Sequence, residues 1–165
     1  MTVRPVLRIP DRVLKTLAEP VGESLDAALA ADLVDTMKAS PACVGLAAPQ
    51  IGVSRRAFVL DVSTHPKATT VHGLVVMFDP RIVESSGRKV GREGCMSVPD
   101  LTANVARATK IVVQGRSPEG APLVIATEGF EARAFQHEID HLDGLLILDR
   151  VASLENDVFT RKVYR

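Results

Sequence analysis

The stretch Gln136-His137-Glu138-Ile139-Asp140-His141-Leu142-Asp143-Gly144 carries the clearest chemistry in the chain. On a helix, His137 and His141 lie one turn apart on one face, where two imidazoles can grip a single metal ion. Glu138 is offset by one residue. Its carboxylate is better placed to reach a water on that ion than to serve as a third ligand, the usual work of the glutamate in a His-Glu-x-x-His helix. The pattern predicts metal-activated hydrolysis, with one protein ligand still to be found.

Three positions compete for that role. Cys95, directly after Gly94 in residues 91–99, sits on an irregular stretch, and a thiolate is a competent third ligand that leaves one coordination position for water. Taken alone, a single cysteine reads equally as a buried small hydrophobe or a nucleophile. Glu155 ranks second, by its distance along the chain. A histidine six residues after His141 would define a metzincin, but Ile147 stands there and excludes that family. Residues 43–52 add a small, apolar segment with one polar side chain, Gln50, whose amide can donate to a developing oxyanion; alone it reads as a tight turn.

Several elements must position these groups. The motif helix is expected to begin at Thr127 or Glu128 and to end on Gly144 at the C′ position, with Phe130, Ala134, His137 and His141 turned toward the rest of the domain. An amphipathic helix capped by Ser24 carries Leu25, Leu29, Leu33 and Met37 at four-residue steps and stops at Ser40-Pro41. A short helix over residues 11–17 takes Asp11 as its N-cap. Strands are expected over residues 56–62, 74–78 with Asp79-Pro80 as the end, 110–115, 122–126 and 145–148. Residues 101–109 read as irregular, and residues 149–165 as a tail with some helical character. His65 and His72 fall in or beside a loop at 63–73 and read as surface histidines.

A chain of 165 residues with 46% hydrophobic residues has the size and composition of one compact domain, 1–165, with residues 150–165 as a short tail. Twenty basic and twenty acidic residues cancel, so no overall field points to DNA or to an anionic membrane. Cys43 and Cys95 are too few for a disulfide framework. The N-terminus lacks the basic cluster and apolar run of a secretory signal, and no apolar run reaches membrane-spanning length, so a cytoplasmic location is expected.

Three stretches, Gly45-Leu46-Ala47-Ala48-Pro49-Gln50, Glu93-Gly94-Cys95-Met96-Ser97 and Gln136 to Gly144, resemble the three motifs of the peptide deformylases in the family's order. The resemblance covers nearly the whole chain and implies an α+β fold with antiparallel or mixed strands around a C-terminal metal helix. It also implies removal of the formyl group from the N-terminal methionine of new polypeptides. By the same resemblance Cys95, His137 and His141 would hold one divalent metal, usually Fe2+, with Zn2+, Ni2+ or Co2+ as substitutes in purified protein. Glu138 would move protons, while the Gln50 side chain and the Met96 backbone N–H would stabilise the oxyanion. Val44, Gly45 and Gly94 would offer backbone groups to an extended formyl-methionyl peptide.

Three departures stand out. Cys43 and Met96 replace the family's usual glycine and leucine, and Ala106 replaces a proline before Arg107, which is expected to pair with Glu93 and brace the Cys95 loop. Substitutions at Cys43 and Met96 leave room for a hydrolase of another small amide. A non-catalytic binder of nascent chains or metal is a further reading, opposed by the intact Glu138 and Gln50. The basic tail residues Arg161, Lys162 and Arg165 suggest a transient ribosome contact.

Overall fold

A computed structural model describes residues 2–161 of the chain. Eight strands and two α-helices alternate with short 3-10 turns. Strands β1 (Gly45–Ala47), β2 (Ala57–Leu60), β3 (Val75–Ser86), β6 (Lys110–Arg116) and β7 (Pro122–Glu128) form one antiparallel sheet in the order β1-β2-β3-β6-β7. A second, three-stranded sheet runs β4 (Lys89–Cys95), β5 (Val98–Arg107), β8 (Val158–Thr160). Helices α1 (Ala27–Lys38) and α2 (Gly129–Leu142) complete an α+β fold.

Strand β2 is buried at every position, because a helix covers each face of the sheet there. Alternating side chains of a strand point to opposite sides. Phe58 and Leu60 meet Phe135 and Leu142 of α2, with Phe58 and Phe135 edge to face at 5.7 Å between ring centres. Ala57 and Val59 instead join the cluster of Leu29, Leu33 and Met37 from α1. The stripe expected of α1 is thus core; its N-cap is Asp26 rather than Ser24, since the Asp26 carboxylate accepts from Leu29 N at 2.9 Å. A third cluster, with Leu14, Val98, Val105 and Ile147, lies under the smaller sheet and includes Cys95.

Several expected boundaries move. Asp79-Pro80 does not end β3. The register shifts between Phe78 and Arg81, and Asp79 adopts φ +50° while its carboxylate accepts from Val21 N, Gly22 N and the Arg116 guanidinium. A bulge held in this way accommodates proline without breaking the strand. Of residues 101–109, expected to be irregular, 101–107 belong to β5 (Val98–Arg107): Ala103, Val105 and Arg107 alternate inward, and the inward arginine disguises the period. The expected strand at 145–148 is a 3-10 turn, Ile147–Asp149, in which the Asp149 carboxylate accepts from Leu146 N. Part of the expected helical tail is β8, paired with Leu101, Thr102 and Ala103 of β5. Lys162 and Arg165 lie outside the described residues. No helix among the described residues is long and apolar enough to cross a membrane.

Helix α2 runs through the middle, packed on β1, β2, β6 and β7. Its buried surface is wider than one stripe, since Glu131, Glu138 and Asp140 are inside with Ala132, Phe135 and Ile139. Charged groups so buried require partners, and most of them have several.

Candidate metal centre

Helix α2 ends where the sequence places its stop. Asp143 is the C-cap, Gly144 follows at φ +74°, and the amides of Gly144 and Leu145 bond to the carbonyls of His141 and Asp140 at 3.2 and 2.9 Å. This is the Schellman pattern, which a residue with no Cβ favours. The helix therefore delivers His137 and His141 in fixed register, at the place where β4 ends in Cys95.

Cys95 Sγ lies 3.4 Å from His141 Nε2, and His141 Nε2 lies 3.3 Å from His137 Nε2. All three donor atoms fall within 4.8 Å of one another. Metal–nitrogen bonds of about 2.0–2.1 Å and metal–sulfur bonds of about 2.3 Å put tetrahedral nitrogen pairs about 3.3 Å apart and nitrogen–sulfur pairs about 3.5 Å apart. The spacing of the trio fits such an ion. Burial pushes the Cys95 thiol up, but the imidazoles beside it, His141 foremost, pull it well below the usual thiol range. Burial likewise opposes charge on His137, yet Cys95 and Glu93 raise it well above the usual histidine range. Thiolate and imidazolium thus stabilise each other in the free site; the thiolate is the form a metal ligand requires, and His137 would give up its imidazolium proton on binding an ion.

The elements that carry these donor atoms are tied together by one buried network. His137 Nδ1–H donates to Glu93 Oε1 at 2.9 Å, which turns Nε2 toward the cluster and fixes the ring. Arg107 grips Glu93 with two bonds of 2.9 Å and reaches Asp140 at 2.5 Å, while Arg133 adds a 2.7 Å bond to Glu93. Arg150 closes the chain on Asp140 at 2.7 Å. The expected pairing of Arg107 with Glu93 is present, and both side chains are buried. Burial alone would raise Glu93, but His137 and Arg107 hold its carboxyl far below the ordinary range.

Glu138 is buried against Gly45, where a methyl group would come within 2.6 Å of its carboxylate. Burial raises its carboxyl above the ordinary value despite the two histidines beside it. Its Oε1 has no partner among the described residues, and neither has His141 Nδ1. A buried carboxylate oxygen with no donor from the chain is set to accept one from outside it.

Gln50 comes from the 3-10 turn Ala48–Ile51 after β1. Ala47 N donates to its Oε1 at 2.9 Å, so the amide nitrogen points the other way, to Ser97 Oγ at 3.1 Å and Cys95 Sγ at 3.7 Å. Ser97 in turn donates to the Leu7 carbonyl at 2.7 Å. Sequence reasoning gave Ser97 no task. It fixes the amide of Gln50, and only its place two residues after the cysteine hinted at that.

The remaining candidates sort by position. Val44, Gly45, Gly94 and Met96 line a cleft of about 400 Å3 with Gln50, Cys95, His137 and Glu138. Glu155 is exposed and outside the donor cluster. Cys43 lines the same cleft with its thiol on the Gly45 carbonyl at 3.1 Å, and both cysteines are free. His65 and His72 are outside the donor cluster, as expected; His72 is exposed and His65 half-buried, and each makes a contact the sequence did not indicate. His65 stacks on Phe130 at 3.9 Å between ring centres and lines the cleft, while His72 ties its loop to buried Glu131. A larger hollow of about 850 Å3 on the strands β3, β6 and β7 contains none of this chemistry.

One thiolate, two imidazoles and an adjacent buried carboxylate make a site of the mononuclear metallohydrolase class. The sequence profile of the polypeptide deformylase family matches residues 3–157. A peptide deformylase from Carboxydothermus hydrogenoformans is 44% identical over 93% of this chain and 97% of its own. A crystal structure of a peptide deformylase from Legionella pneumophila aligns with TM-score 0.82 at 41% identity, covering 93% of this chain and 89% of that one. A Met-Ala-Ser-bound class I type b peptide deformylase from Acinetobacter baumannii aligns with TM-score 0.84 at 34% identity, covering 91% and 99%. The chain belongs to the polypeptide deformylase family, enzymes that remove the N-formyl group from newly made polypeptides.

Proposed function

We propose that this enzyme hydrolyses the formyl amide at the N-terminal methionine of new polypeptides in the cytoplasm, releasing formate, with Cys95, His137 and His141 holding one divalent ion. The observation that carries the reading is the convergence on one cleft of three mutually close donor atoms, the unpartnered Oε1 of Glu138 and the aimed amide of Gln50. Ferrous iron is the proposed native ion, with zinc, nickel or cobalt as replacements, because a thiolate with two imidazoles accepts all of them. When bound, the ion supplies a lowered water pKa, to about 7 in favourable sites, and polarisation of the formyl carbonyl.

Glu138 takes a proton from the water that attacks the formyl carbon and returns it to the amine as the C–N bond breaks. Its burial raises its proton affinity and suits it to hold the proton between the two steps. Gln50 Nε2 and the Met96 N–H donate to the oxygen on which negative charge develops. Val44, Gly45 and Gly94 present backbone to an extended chain, in the manner of an added strand. The Met-Ala-Ser peptide held by the Acinetobacter relative supports a methionyl peptide as ligand. A transient ribosome contact through the C-terminal residues would bring that chain to the cleft.

Formate release from formyl-Met-Ala-Ser by protein loaded with iron without oxygen tests the reading. Glu138→Ala is expected to keep its metal and lose at least about 100-fold in turnover. Full activity in that variant would refute the proton-transfer role, and no formate from the metal-loaded parent would refute the activity.

A further inference from the structure

The cleft is lined by several basic side chains, and the reaction described above does not use their charge. Lys67, Arg92, Arg133 and Arg161 line it. Its two acids are both buried: Glu138 faces the donor cluster, and Glu93 is bonded by Arg107, Arg133 and His137. Among the described residues no carboxylate pairs with Lys67, Arg92 or Arg161.

Strand β8 holds two of these cations in place. Arg92 lies over the Phe159 ring at 3.7 Å, a cation–π contact that fixes the guanidinium while leaving its hydrogen-bonding edge largely free. Arg161 follows β8 directly, and its backbone N–H donates to the Asp100 carbonyl at 2.9 Å. Its guanidinium sits over Gly94, where a Cβ would collide with it. Gly94 immediately precedes Cys95, so Arg161 stands one residue from the donor cluster. Lys67 lines the same cleft from the loop that also carries His65.

A peptide with its formyl end at the donor atoms would extend along a cleft lined by these cations. We propose that Arg92 and Arg161, with Lys67, make this enzyme select formyl-methionyl chains carrying carboxylate side chains just after the methionine, and disfavour those carrying lysine. The inference rests on the deformylase reading above. A cleft lined by one sign of charge concentrates ligands of the other sign, and the effect weakens with salt. Exposed pairs are individually weak, so the preference is the sum of two or three of them and the repulsion of lysine.

The test compares three C-terminally amidated peptides, formyl-Met-Asp-Glu, formyl-Met-Ala-Ser and formyl-Met-Lys-Lys, with metal-loaded full-length protein. At low ionic strength kcat/KM is expected to be about tenfold higher for the acidic peptide than for the basic one, carried by KM. The gap should shrink several-fold at about 0.5 M salt, where the Debye length falls to a few ångströms. The doubly substituted Arg92→Gln, Arg161→Gln protein should bring the ratio close to one, and Arg161→Lys should retain most of it. Binding of the unformylated Met-Asp-Glu and Met-Lys-Lys amides, followed by NMR titration, should give the same order without turnover. Equal or reversed preference in the parent, or a preference that survives the double substitution, overturns the inference while leaving the deformylase reading intact. No turnover of any of the three by the metal-loaded parent removes both.

Discussion

Gly45 shows how closely a single residue can be held by the chemistry beside it. A methyl group at this position would lie 2.6 Å from Glu138 Oε2 and 2.9 Å from the carboxyl carbon. Glu138 is buried, so it has little room to retreat. Gly45→Ala should therefore leave the fold and metal content intact and lower kcat/KM about 100-fold, the scale of a misplacement of about 1 Å. Parallel metal analysis and formate release would check this, and parent-like turnover would show that Glu138 tolerates the shift. Cys43, on the same segment, makes a prediction about pH. Burial and the nearby Glu138 push its thiol up to about 12. An ordinary thiol ionises near 9, so between those values the folded chain keeps a proton that the unfolded chain loses. Stability from this group is complete below pH 9 and declines as pH rises toward 12. Iodoacetamide, which attacks thiolate, should label Cys43 in native protein at pH 8 far more slowly than in urea, as peptide mapping would show. Rapid native labelling would contradict the burial.

Turns and caps decide where the elements deliver these residues. Gly144 ends α2 in the left-handed region, and a Cβ there would come within 2.8 Å of the Lys15 backbone. Strain in that region and the collision act together, so Gly144→Ala should cost at least about 2 kcal/mol. A urea midpoint unchanged from the parent would show that the Lys15 segment yields freely. The motif helix, its start and its glycine stop were legible in the sequence because spacing and capping are local. So was α1, apart from a cap two residues later. What sequence concealed depended on distant partners: β5 reads as irregular because buried Arg107 occupies an inward position, and that arginine is acceptable only where Glu93 and Asp140 meet it. Strand β8 has three residues and little pattern of its own, and exists through its pairing with β5. Asp79-Pro80 resembles a strand end, yet Val21, Gly22 and Arg116 satisfy the aspartate and let β3 continue.

At the scale of the molecule, the donor cluster joins parts that are also linked by short connections and by the N-terminal segment, whose Leu7 and Ile9 amides bond to the Gln50 and Ser97 carbonyls. Cys95 ends a strand of the smaller sheet, and His137 and His141 belong to a helix packed on the larger one. Glu93, Arg107, Arg133, Asp140 and Arg150 bridge the same parts, but a charged network of this kind is worth less than its number of bonds suggests, because each group was fully hydrated before folding. The closeness of the trio Cys95, His137 and His141 was foreseeable from one helical spacing and a cysteine ranked ahead of Glu155. Its supporting network was not, apart from the Arg107–Glu93 pair, since neither Asp140 nor Arg150 carries a signal until the fold brings them together. An ion bound by the folded chain and not by the unfolded one stabilises the fold in proportion to its saturation. At free ion about a thousandfold above the dissociation constant the gain is about 4 kcal/mol. A chain of 165 residues shifts its midpoint by about 2–4 °C per kcal/mol. Removing the metal with a chelator should therefore lower the calorimetric melting temperature by about 10 °C, and His137→Ala should melt at the same temperature with or without metal. If the parent melts alike in both conditions, the two sheets are held by their own packing and the ion serves chemistry alone.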